Sequence, residues 1–177
     1  GGWCLRFLRR HRANLHLRGN SAFLRDITVY SDRFAQPFLH EPTQQKNVEQ
    51  KMLAVMDGYH WSRHPGAIDD DAAGGYFRIN GEPLVLAGLP AVTDAGKSLV
   101  VTMPLEGARV LTVRFDEQMI TCEMSPRNEA TLEISFQWDP AKTAFKDVTP
   151  ASATYRWQDF DYSVAVRLGR AATTSTG

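Results

Sequence analysis

Between Lys97 and Leu168, apolar and polar residues alternate with a period of two, segment after segment. Leu111, Val113 and Phe115 share one side of Arg109–Phe115, and Ile120, Cys122 and Met124 share one side of Met119–Met124. Leu132, Ile134, Phe136 and Trp138 stand opposite Thr131, Glu133, Ser135 and Gln137, and Tyr162, Val164, Val166 and Leu168 close the series. Successive side chains of an extended chain point to opposite faces, so each segment turns one apolar face inward and one polar face to water. A helix, with its period of 3.6, would scatter these residues around its circumference. Ser98–Met103 adds an apolar run, and turn signals recur at Glu106-Gly107, Asp116-Glu117, Pro126-Arg127-Asn128 and Asp139-Pro140. Short strands at this spacing predict a sandwich or barrel.

Upstream the pattern is sparser. Residues 13–18 and 22–30 read as strands joined through Gly19-Asn20, with Leu15 and Leu17 alternating with polar neighbours and Ile27–Tyr30 rich in β-formers. Tyr76–Ile79 leads into Asn80-Gly81, the pair a type I′ turn favours, and Pro83–Leu86 returns as the second arm of a hairpin. Pro83 has no N–H to donate, which confines that arm to a sheet edge or a strand start. Residues 43–57 carry the one helical pattern: Thr43 as a cap after Pro42, an apolar stripe of Val48, Met52, Val55 and Met56, and Gly58 after the last turn. Such a stripe is core packing rather than a cofactor or partner face. The expected fold is therefore all-β, mainly an antiparallel β-sandwich, with one packed α-helix near residues 43–57. The expected organisation is a basic amino-terminal arm over 1–12, a single sandwich domain over 13–170 and a flexible tail over 171–177.

A chain of 177 residues fits one domain with a proper core. Its 20 basic and 20 acidic side chains cancel, which argues against a specific nucleic-acid partner. The basic residues cluster early: Arg6, Arg9, Arg10, Arg12, Arg18, Arg25 and Arg33 face only Asp26 and Asp32 within residues 1–33. That arm would be solvated or would meet an acidic partner. No apolar run approaches a membrane span. Cys4 and Cys122 make no disulfide framework and no zinc spacing, and Cys122 falls on the inward side of its strand. The start at Gly-Gly-Trp carries the expectation that the chain is a fragment or processed product, with a lean to a secreted or periplasmic setting.

Residues 58–75 break every periodicity, and a loop of this length in a compact domain is often functional. His60 and His64 stand four apart beside Tyr59 and Trp61, and Asp69, Asp70 and Asp71 follow. Imidazoles and carboxylates bind metals, but Pro65-Gly66 removes the helix that would bring the two histidines onto one ion. Calcium on the aspartates is the one cofactor weighed; the ordered calcium-loop pattern is absent, and no cofactor is expected. Tyr59, Trp61 and Tyr76 offer flat faces to a sugar ring, and His60, Arg63, His64 and the aspartates offer hydrogen bonds to its hydroxyls. The competing reading makes Trp61 an anchor that holds the loop on the sandwich. Tyr155–Tyr162, the densest aromatic stretch, is either a stacking platform or an aromatic core plug. No nucleophile elbow or glycine-rich phosphate loop is present.

These features rank three functions. The first is a non-catalytic β-sandwich module, carbohydrate-binding or accessory to a larger carbohydrate-acting protein, with a polysaccharide or the rest of a parent polypeptide as partner. The second is a structural or assembly subunit using its basic arm, with an oligomer left open. The third is a hydrolase or lyase with a His/Asp site in the loop 59–75.

Overall fold

The computed structural model describes residues 2–7, 10–34, 53–67, 70–126, 130–142, 145–149 and 151–168. Fourteen strands cover most of it: β1 (Gly2–Phe7), β2 (His11–Arg18), β3 (Ser21–Val29), β4 (Leu53–Asp57), β5 (Gly74–Ile79), β6 (Glu82–Pro83), β7 (Ala91–Asp94), β8 (Leu99–Leu105), β9 (Arg109–Phe115), β10 (Met119–Ser125), β11 (Leu132–Gln137), β12 (Phe145–Thr149), β13 (Ser152–Trp157) and β14 (Phe160–Leu168). They form a larger sheet of eight strands, in the order β12-β13-β14-β1-β10-β9-β8-β7, and a smaller one in the order β11-β5-β3-β2. In the smaller sheet β4 also pairs with β3, and β6 with β5. Every named pair is antiparallel. The expected all-β, sandwich-like architecture is present.

The core lies where alternation places it. Met103, Leu111, Val113, Ile120, Cys122 and Met124 from the larger sheet are buried against Leu24, Ile27, Val29, Phe77 and Leu132 of the smaller one. At roughly 25 cal/mol per Å² of apolar surface, two such facing layers supply the main driving force for folding. The turns follow their chemistry. Asn80 and Gly81 both take positive φ, 51° and 80°, as a type I′ turn requires, and Pro83 ends β6 after two residues.

The expected helix needs correction. Residues 53–57 are strand β4, paired with β3, and residues 43–52, including Val48 and Met52, lie outside the described residues. Leu53, Ala54, Val55 and Met56 are all buried, so β4 hides both faces. A strand covered on both sides is a continuous apolar run, and over four residues such a run matches a helical stripe as well as a strand.

Two other segments differ from the expected layout. The stretch 1–12 contains β1 and the start of β2, and β1 pairs with β10 on one side and β14 on the other. β5 begins two residues before the expected Tyr76, at Gly74-Gly75. A Cβ on Gly74 would lie 2.7 Å from the Phe23 ring, and one on Gly75 would lie 2.8 Å from Ile134 and 2.9 Å from Phe136. The glycines that read as loop are strand residues with neighbours too close for a side chain. The expected tail over 171–177 lies outside the described residues.

Candidate functional site

The loop after β4 is built by hydrogen bonds that use up most of its polar groups. Asp57 caps its first turn: Oδ1 accepts the N–H groups of Tyr59 (3.1 Å) and His60 (2.8 Å), while Oδ2 lies 2.7 Å from His60 Nδ1. Trp61 is fully buried, its ring 6.3 Å from that of Tyr155 and nearly parallel to it. Tyr155 stacks in turn on Tyr162, whose hydroxyl donates to the Ala54 carbonyl (2.6 Å). Burial drives the hydroxyl pKa of both tyrosines well above the ordinary range. The aromatic run 155–162 is thus a core plug folded over a turn at Gln158-Asp159, not a stacking platform.

The loop is fastened at both ends. The buried Ser62 hydroxyl donates to the Gly58 carbonyl and accepts the Ala73 N–H (2.7 Å). The Lys142 ammonium donates to the carbonyls of Ser62 (2.7 Å) and Arg63 (2.8 Å), and the Asp139 N–H donates to the Trp61 carbonyl (2.7 Å). A hydrogen bond from a charged donor contributes about 1.5–3 kcal/mol, so Lys142 is a principal fastening.

The predicted site residues separate into groups. Arg63 Nη1 and His64 Nε2 approach opposite oxygens of Asp71, at 3.2 Å and 3.7 Å. Asp70 lies 3.4 Å from Arg18. Arg63, Asp70 and Asp71 line a hollow of about 250 Å³ with Gln137, Trp138 and Asp139. His60 pairs with Asp57, so the two histidines have different carboxylates and do not converge. Tyr76 stacks on Phe23 with centroids 4.6 Å apart, and its hydroxyl donates to Ala72 (2.8 Å). Tyr59 alone of the three candidate sugar platforms is exposed; Trp61 takes the anchoring role. Asp69 lies outside the described residues. Among the described residues no group of three or more His, Cys, Asp or Glu side chains converges to hold a metal.

A larger concavity, of about 910 Å³, lies at the opposite edge, between β2 and the strands β7, β8 and β9. It arises from the unequal sheets. β7 is the last strand of the larger sheet and β2 the last of the smaller one, and all four residues of β7 are exposed. The apolar lining includes Leu15, Leu17, Val92, Leu99, Val101 and Phe115. Leu17 is 46% exposed, Val92 64% and Leu99 43%, although the lining position of each is that of a core residue.

One end of the groove carries Asp94, at the end of β7, with Lys97, Asp116 and Glu117 on the adjacent β7–β8 and β9–β10 turns. His11 sits at the same end, where burial lowers its pKa against the raising influence of the Glu117 backbone and the Asp116 carboxylate. Sequence reasoning missed this groove because Leu15 and Leu17 have the alternation of any core-facing strand. Comparison of the chain with protein-family models, with curated proteins and with solved structures finds no match in any of the three.

Proposed function

We propose that this chain is a non-catalytic β-sandwich binding module that takes its ligand in the groove between β2 and β7–β9. The observation that carries this reading is the exposure of Leu17, Val92 and Leu99 along one concave lining. Isolated surface hydrophobics are ordinary, but a contiguous apolar lining with a polar rim marks an interaction site. The volume of about 910 Å³ is of the size that ligand clefts occupy. The role as an accessory module of a larger protein stays within this reading. The site shifts from the loop 59–75 to the opposite edge, because Trp61 and Tyr76 already have ring partners inside the fold.

The experiment is a screen of isotopically labelled protein against oligosaccharides, apolar small molecules and peptides, followed by amide chemical shifts. Binders should perturb β2, β7 and β8, and Leu99→Asp should abolish the perturbation while leaving the spectrum folded. Ligands that perturb only residues 59–73, and bind Leu99→Asp equally well, would refute the proposal.

A further inference from the structure

We infer that the groove accepts an extended polypeptide segment, which adds to β2 as one more antiparallel strand and carries a basic residue at its carboxy-terminal end. This rests on the groove being the ligand site.

The backbone of β2 supplies the first argument. The Tyr30 N–H donates to the Arg10 carbonyl (2.8 Å), and the hairpin at the other end closes with Arg18 opposite Ser21. In an antiparallel pair, alternate residues turn their N–H and C=O groups toward the partner strand. Arg10, Arg12, Asn14, His16 and Arg18 therefore direct theirs to β3, and Ala13, Leu15 and Leu17 direct theirs outward. No described residue pairs with Ala13, Leu15 or Leu17 on that side. An open edge of this kind is a template for another strand. A sugar or a hydrocarbon would leave its alternating donors and acceptors to water.

The second argument is the unequal width of the sheets. A strand laid beside β2 would extend the smaller sheet over β7 and β8, whose Val92 and Leu99 are uncovered. The side chains of Ala13, Leu15 and Leu17 line the groove, so every second side chain of the guest would join them over that apolar floor. Small β-branched residues suit those positions.

Charge fixes the direction. At the end where β2 begins, Arg10 lies 2.9 Å from Glu117 and Arg114 donates to the Ser98 hydroxyl (2.8 Å), while Asp94 and Asp116 are in no ion pair among the described residues. All pairs in both sheets are antiparallel, and a guest that continues the pattern presents its carboxy-terminal end there. A basic side chain at that end meets the Asp94 and Asp116 carboxylates.

The test uses a blocked octapeptide of alternating threonine and valine ending in arginine amide. Binding to the full chain is followed by amide shifts and by titration. Saturable binding is expected, with the Ala13, Leu15 and Leu17 amides protected from exchange. Three changes should each weaken it at least about tenfold, the effect of losing one or two hydrogen bonds or a charge contact: methylation of alternate peptide nitrogens in the pairing phase, glutamate in place of the terminal arginine, and Ala13→Pro. The proline removes an N–H that β3 does not use, so β2 should stay in place. Should Ala13→Pro fail to fold, the methylated peptides decide on the unaltered protein.

Equal binding of peptides methylated in either phase would overturn strand addition. So would a concentration-dependent dimer through β2 that excludes the peptide, since the guest would then be a second copy. Absence of peptide binding, while an oligosaccharide or small molecule still perturbs β2, β7 and β8, would overturn this inference and leave the groove as the ligand site. Absence of any perturbation there would remove both.

Discussion

Trp61 is the residue on which the loop after β4 depends. It is fully buried and stacked on Tyr155, so its removal leaves a large cavity beside two other aromatic rings. Trp61→Ala should lower the unfolding free energy by about 3–5 kcal/mol, read from urea titration. An unchanged midpoint would contradict the buried placement. His11 sets a pH dependence. Its pKa is lowered by burial, so the folded chain binds fewer protons than the unfolded one. Stability from this group is complete above about pH 6.5 and is lost as pH falls from there through the folded value. Urea midpoints between pH 5 and 8 should show that slope, and His11→Gln should flatten it. A further acid loss belongs to Asp159 and Asp161, held below the usual carboxylate range by Arg33 and by Arg156 with Lys146, respectively. Those carboxylates stabilise the fold above about pH 4 and cease to as they protonate.

At the scale of elements, two features govern how the loop and the smaller sheet meet. Gly75 in β5 faces Ile134 and Phe136 of β11 at distances a methyl group cannot share without movement. Gly75→Ala should cost about 1–3 kcal/mol by overpacking, measurable as a lowered thermal midpoint. The Lys142 ammonium, in the short 3-10 turn Pro140–Lys142, bridges from the segment after β11 to the carbonyls of Ser62 and Arg63. Lys142→Met keeps the stem and removes the charge. It should speed hydrogen exchange at Arg63 and Ala73 while leaving β8–β10 protected, since local opening follows local fastening. Uniform deprotection of all strands would show instead that the loop opens only with the whole domain.

For the whole molecule, the consequence of an eight-strand sheet against a narrower one is an edge that no described residue closes. Leu99 stands at that edge and is 43% exposed, so its loss should cost the isolated chain little. Leu99→Asp should change the unfolding free energy by no more than about 0.5 kcal/mol, as for an ordinary surface substitution. Removal of Leu111, fully buried one strand further in, should cost about 2–5 kcal/mol by the same measurement. A large loss from Leu99→Asp would mean that the groove is part of the core. No helix among the described residues is long and apolar enough to cross a membrane.

Alternation determined β9, β10, β11 and β14, because burial on one face writes a period of two directly into the residues, whereas β12 and β13 were not read from it. Asn80-Gly81 likewise determined its turn, because positive φ is a local property of those two residues. Tertiary structure decided the rest. Leu53–Met56 became a strand because it pairs along its edge with β3 and the finished fold buries the side chains on both its faces, a condition no local period encodes. Gly74-Gly75 became strand because Phe23, Ile134 and Phe136 arrive from other segments. The residues of loop 59–75 were legible as a cluster of polar and aromatic types, but their partners were not. Tyr155, Phe23 and Lys142 reach them across long stretches of chain, and only Asp57 is a local partner. The groove was the least legible of all. Leu17 and Leu99 carry the signature of core residues, and only the relative width of two finished sheets leaves them exposed.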